Sequence, residues 1–150
     1  MKSLIQKKQR EKNKHQVTCE MICKSQTKEI SRIEKFLNDV RSKLHFDDGT
    51  MYRLMICCTE AVNNAIIHGN KSDPEKKVVI RCISNRRSLT IKVRDEGTGF
   101  DPDILQDPRE EKNLLKENGR GVFLIRSLMD KVSFKRLKSG AVVEMKVNIP

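Results

Sequence analysis

Tryptophan is absent from this chain, and the other aromatics are few: one tyrosine and five phenylalanines in 150 residues. The core must therefore be built from aliphatic side chains and methionine. The five cysteines, Cys19, Cys23, Cys57, Cys58 and Cys82, include no C-x-x-C pair, and their number is odd. That excludes a disulfide framework and a zinc knuckle. They read as small buried hydrophobes in a reducing cytosol. No apolar run approaches the roughly 18 residues of a membrane span. Met1 to Ile5 is too short for the apolar region of an export signal, and a basic run follows it. A soluble, cytoplasmic protein with no membrane partner is expected.

Positive charge is what the chain has in excess, with a formal net of +11. Residues 1–14 carry Lys2, Lys7, Lys8, Arg10, Lys12 and Lys14 against Glu11, a net of +5, with little apolar content. The rest of the excess is scattered along the sequence. Proteins that track a phosphate backbone interleave aromatics with their basic residues, and this segment has none. It reads as a solvated, flexible arm, which argues against nucleic acid as the partner. The remainder, residues 15–150, is long enough to bury the core of one domain.

Periodicity divides that domain. His15 to Lys24 alternates, with Val17, Cys19, Met21 and Cys23 on one side, as in a strand. Gln26 to Leu44 places Ile30, Ile33, Phe36, Leu37, Val40 and Leu44 at helical spacing, with Ser25 or Thr27 as the cap. A second helix is expected over Asp48 to His68, ended by Gly69. Lys77 to Ser84 and Ser88 to Asp95 read as a hairpin around Asn85-Arg86-Arg87. Residues 101–118 are irregular, with two prolines and few apolar anchors; loops of this length are functional lids or disordered. A third helix over Gly121 to Lys131 and two strands, Val132 to Leu137 and Ala141 to Ile149, close the chain. Helices on one face of a mixed, mostly antiparallel sheet make a two-layer α/β sandwich.

Three segments carry candidate chemistry. In the first, Glu60-Ala61-Val62-Asn63-Asn64-Ala65-Ile66-Ile67-His68-Gly69, residues Glu60 and Asn64 are one helical turn apart, and His68 continues their line. A carboxylate in so apolar a helix needs water, a partner or a metal. Asn64 offers an amide oxygen to Mg²⁺, a hard cation that takes oxygen ligands. Glu60, a turn away, can orient or deprotonate a hydroxyl. A polar stripe on a surface helix accounts for the pair equally well. In the second, Asp95-Glu96-Gly97-Thr98-Gly99-Phe100, a carboxylate at a strand end can accept from the exocyclic amine of adenine, and the glycines admit a ligand close to the backbone. A plain turn has the same composition. In the third, Asn118-Gly119-Arg120-Gly121-Val122-Phe123-Leu124-Ile125, a glycine-rich turn feeds a helix N-terminus, which suits phosphate. Four of the seven glycines fall in the last two segments.

Together these segments resemble the nucleotide-binding boxes of the GHKL ATPase superfamily, which includes gyrase, the 90-kDa heat-shock chaperones and histidine kinases. The first resembles its N box, the second its G1 box, the third its G2 box, and residues 101–118 its ATP lid. The likeness spans residues 17–149. Within the superfamily the chain most resembles the anti-sigma-factor serine kinases of bacterial partner-switching systems, through residues 60–69 and 121–130. The resemblance implies a histidine-kinase-like ATPase fold using ATP and Mg²⁺. Glu60 would be the general base and Asn64 the metal ligand. Asp95 and Gly99 would hold adenine, beside His68, Gly97 and Phe100. Gly119, Arg120, Gly121 and Val122 would lie along the phosphates, with Arg109, Lys112 and Lys116 adding charge from the lid. It further implies that the protein phosphorylates a STAS-domain anti-anti-sigma factor on serine or threonine, sequesters a sigma factor and forms a homodimer. The competing expectation is a non-catalytic nucleotide-binding module that acts by sequestration alone.

Overall fold

A computed structural model of the chain describes residues 16–97 and 117–149. The basic arm and the expected lid lie outside the described residues. Five strands form one sheet: β1 Val17–Lys24, β2 Lys77–Ser84, β3 Ser88–Arg94, β4 Lys131–Leu137 and β5 Gly140–Asn148. Their order across the sheet is β1-β2-β3-β5-β4. Every pairing among the described strands is antiparallel, where a mixed sheet was expected. The last hairpin inserts β5 beside β3 and leaves β4 at the edge. Three helices are described: α1 Arg32–Leu44, α2 Asp48–Asn64 and α3 Glu117–Leu128.

Alternation decides which strand residues face the helices. Met21 and Cys23 of β1, Val78, Ile80 and Cys82 of β2, Ile91 and Val93 of β3, and Met145 and Val147 of β5 are buried. They meet Ile33, Leu37 and Val40 of α1 and Leu54, Cys58, Ala61 and Val62 of α2 in one aliphatic core. Four of the five cysteines are buried, and all are free thiols. Burial pushes Cys23 and Cys57 up to about 11 and Cys82 up to about 12, so these thiols stay protonated and pack as hydrophobes. No described helix is long and apolar enough to cross a membrane.

Four features depart from the expectation. Residues Thr27–Ser31 form a 3₁₀ turn, and the α-helix proper begins at Arg32. Ser25 does not cap it: its hydroxyl donates to the Lys76 carbonyl at 2.7 Å and accepts from Asn70 Nδ2 at 2.7 Å. The second helix ends its α geometry at Asn64 and widens into a π turn over Ala65–Gly69, where the Asn70 N–H reaches the Ala65 carbonyl at 2.8 Å. Its start is capped by Asp47, whose carboxylate accepts from the Thr50 N–H at 2.7 Å. The third helix starts at Glu117, a turn before the glycines allowed for, and ends at Leu128.

The scattered cations also collect. By alternation and register, Lys24, Lys77, Arg94, Lys131, Lys135 and Lys146 share the outer, helix-free face of the sheet. The acids of that face are engaged: Glu20 with Arg81 at 3.0 Å and Glu144 with Lys92 at 3.7 Å.

Asn70 ties the sheet end to the loop after α2. It is 1% exposed; its Nδ2 donates to Ser25 Oγ and, at 3.0 Å, to the Lys77 carbonyl, and its Oδ1 accepts from the Glu96 N–H at 2.8 Å. Replacing it leaves buried polar groups without partners, which costs about 1–3 kcal/mol. Asn70→Ala is therefore expected to lower the urea midpoint by that equivalent with an unchanged slope, as read by circular dichroism.

Candidate functional site

The π turn brings the chain past Gly69 onto the end of β3, where Asp95 is 4% exposed. Asp95 Oδ1 accepts from the Gly97 N–H at 3.0 Å and the Ala141 N–H at 3.1 Å, while its own N–H donates to the Ala141 carbonyl at 3.0 Å. Oδ2 takes no hydrogen bond among the described residues. Three glycines close around it. A Cβ on Gly69 would overlap the Asp95 carboxylate, and one on Gly97 would overlap the Gly69 carbonyl. Gly140 has φ +119°, and a Cβ there would overlap the Asp95 carbonyl oxygen. Burial is the main influence on the Asp95 carboxyl and raises it above the ordinary aspartate value, against the two N–H bonds and Lys76.

A cavity of about 530 Å³ opens beside Asp95. Asn64 and Ala65 form its wall on the α2 side, Ile125 and Arg126 on α3, and Val93, Ala141, Val143, Phe134 and Arg136 its floor on the sheet. Asn64 is 5% exposed, and among the described residues its side-chain amide has no hydrogen-bond partner. An unpaired buried amide is costly, and its oxygen is a suitable donor to Mg²⁺. The neighbouring Asn63 is half-exposed and does not line the cavity.

Helix α3 crosses α2 at Gly121. A Cβ there would stand 2.6 Å from Glu60 Oε2 and 3.4 Å from Asn64 Nδ2. The half-buried Glu60 carboxylate thus lies against the first turns of α3. Farther along, the two helices are held antiparallel by Arg53, whose guanidinium donates to the Leu128 carbonyl at 3.4 Å. The start of a helix offers N–H groups without an intrahelical partner and the positive end of the helix dipole, the feature that suits phosphate.

Of the residues singled out from sequence, Glu60, Asn64, Asp95, Gly97 and Gly121 converge here. Gly119 and Arg120 are in the first turn of α3, and Arg120 is exposed; Val122 is buried. His68 is exposed on the π turn and does not line the cavity, so the polar line of α2 stops at Asn64. Gly99, Phe100, Arg109, Lys112 and Lys116 lie outside the described residues.

The family profile of the histidine kinase-like ATPase domain matches residues 23–147. The chain belongs to this family. Among its relatives, the serine-protein kinase RsbW of Bacillus subtilis is 32% identical over 132 residues, 84% of this chain and 82% of that protein. The anti-sigma F factor of Oceanobacillus iheyensis is 40% identical over 76 residues, so the matched segment spans about half of each protein, 49% and 52%. In three dimensions the fold matches a structure of the RsbU and RsbW domains of a Mycobacterium tuberculosis protein, with TM-score 0.66 and 12% identity over 89% of this chain and 32% of the other. A histidine kinase domain of Erythrobacter litoralis matches with TM-score 0.53 and 18% identity, over 82% of this chain and 60% of the other.

Within this histidine-kinase-like ATPase fold, sequence reasoning passed over Asn70, Gly140 and the floor residues Phe134 and Arg136. Asn70 directly follows Gly69 and was detectable as a polar residue beside a helix-ending glycine. The role of Gly140 depends on a partner 45 residues away and leaves no local trace.

Gly121 gives a sharp test of the crossing. An alanine is better than glycine by about 1 kcal/mol inside a helix, but its methyl must displace Glu60. Gly121→Ala is expected to keep or raise the melting temperature while weakening any function that depends on the Glu60 position. A lowered melting temperature would mean that the crossing itself cannot open.

Proposed function

We propose that this histidine-kinase-like ATPase is an ATP-binding anti-sigma regulatory factor that phosphorylates a STAS-domain anti-anti-sigma protein on serine or threonine and sequesters a sigma factor. The observation that carries the nucleotide reading is a pair of buried groups at one cavity, Asp95 Oδ2 and the Asn64 amide, neither of which has a hydrogen-bond partner among the described residues. The partner reading is supported by relatives bearing the names serine-protein kinase and anti-sigma F factor. A homodimer in the cytoplasm, with residues 1–14 as a separate flexible arm, belongs to the same proposal.

The residues divide the work. Asp95 Oδ2 accepts from the adenine amine while Oδ1 stays bound to the backbone. Ala65, Val93 and Val143 supply an apolar surface for the ring. The start of α3 faces the phosphates. Asn64 would hold Mg²⁺, which would supply charge neutralisation to the polyphosphate. Glu60 receives the proton of the partner's hydroxyl as its oxygen attacks the terminal phosphorus, whose bond to the bridging oxygen breaks to release ADP. Phosphoryl transfer asks mainly for positioning and electrostatics, so a site this sparse is sufficient.

The deciding assay mixes the protein with Mg·ATP and the STAS-domain protein encoded nearest to it, and follows phosphate onto the latter. Transfer is expected with the native chain and is expected to fall by at least about 100-fold in Glu60→Gln, with ADP binding unchanged by calorimetry. Nucleotide binding without transfer would leave the sequestering module as the function.

Asp95 predicts a pH dependence. Its raised value means that the folded chain holds this proton more tightly than the unfolded chain. In the ligand-free protein its contribution to stability therefore grows as pH falls through the window between the ordinary aspartate value and the raised one, and above that window the buried anion is a cost. Binding runs the other way. With Oδ1 occupied by two N–H groups, the proton goes to Oδ2 and turns the adenine acceptor into a donor. Affinity for ADP is expected to fall as pH drops through the raised value, as read by calorimetry. A flat profile would remove Asp95 from the base site.

A further inference from the structure

The cavity contains more positive charge than a nucleoside needs. Asp95 is the one carboxylate among its described lining residues, and Arg126, Lys135 and Arg136 are three cations. Lys135 and Arg136 lie outside the segments that carry Asn64, Asp95 and Gly121. Two of the three cations have other placements. The Arg126 guanidinium stacks over the Phe134 ring, 5.3 Å from its centroid. Lys135 alternates to the outer face of the sheet. That leaves Arg136, which alternates with Val132 and Phe134 on the helix-facing side of β4.

Register places Arg136 relative to the base site. It lies opposite Ala141 across the β4–β5 pair. Ala141 in turn exchanges hydrogen bonds with Asp95. Asp95, Ala141 and Arg136 therefore form one row across three strands, along the floor of the cavity. Strands are about 4.8 Å apart, so the row spans roughly 10 Å from the carboxylate to the arginine backbone. Its helix-facing neighbours on the floor, Val132, Phe134, Ala141 and Val143, are apolar, and an exposed arginine among them opens onto the cavity rather than into the core. A ligand whose amine sits on Asp95 and whose other end carries negative charge fits this row.

We propose that Arg136 is a phosphate ligand of the bound nucleotide, a guanidinium delivered by the edge strand from the side opposite to Asn64. This rests on the nucleotide reading above. A guanidinium can donate two parallel N–H bonds to phosphate oxygens, which makes arginine more than a point charge at such a position. The strand source also has a consequence: the contact is fixed by β4–β5 register and does not depend on residues 101–118.

The test is calorimetric titration of the full chain with adenosine, ADP and ATP in Mg²⁺, for the native protein, Arg136→Ala and Arg136→Lys. Binding of adenosine and ADP by the native chain checks the nucleotide reading first; if it fails, the proposal falls with it. Given that binding, Arg136→Ala is expected to weaken ADP and ATP by about ten- to a hundredfold and leave adenosine unchanged, with partial recovery in Arg136→Lys. The dependence of ADP affinity on salt should also become shallower in Arg136→Ala. Equal losses for adenosine and ADP would mean that Arg136 touches the base or supports the fold, and no loss for any ligand would place it outside the site. Either result overturns the proposal while leaving the nucleotide reading standing.

Discussion

The structure depends on a backbone crowding at one point. Gly69, Gly97 and Gly140 come from three separate parts of the chain, and each brings its Cα against Asp95 or against another of the three. A side chain at any of them would occupy space already filled by a carboxylate, a carbonyl or main chain. The crowding is what allows a carboxylate to be buried at a strand end with one oxygen held by two backbone N–H groups. It also joins the end of α2 to the β4–β5 hairpin, so the walls of the cavity are set by contacts that exist before any ligand arrives.

This arrangement holds polar groups in an unsatisfied state. Among the described residues Asp95 keeps one oxygen without a partner and Asn64 a buried amide without one, while α3 crosses close to the Glu60 carboxylate at Gly121. Each unpartnered group is unfavourable in the empty fold. Aliphatic packing of α1 and α2 on the sheet, and the Asn70 network behind Asp95, offset those penalties. A ligand with an amine at one end and phosphates at the other relieves them together, which is how preorganisation contributes to affinity.

Much of this was legible because it is periodic. The strands alternate and α1 and α2 repeat at helical spacing, so their faces are readable from side-chain type alone. Glu60 and Asn64 were readable for the same reason. The misses share a cause in long-range contacts. Ser25 has the composition of a helix cap but is engaged by Asn70 and Lys76, 45 and 51 residues away. Local preference puts glycines before a helix, yet Gly119 and Gly121 lie inside α3, and at Gly121 the close crossing on Glu60 needs a residue without a side chain. The cations that looked dispersed in sequence share a face only once strand order and register are known.

The π turn at Ala65–Gly69 has the geometry of a helix carrying one surplus residue. Removing that residue would let α2 continue in regular α geometry, with better-aligned hydrogen bonds. It would also rotate everything downstream by about 100°. Gly69 would swing off the Asp95 carboxylate, and Asn70 would lose Ser25, Lys77 and Glu96 together. Here irregularity of the helix is a measuring device: the extra residue sets the phase at which the chain leaves α2. A more regular helix in this chain would be a helix without a site.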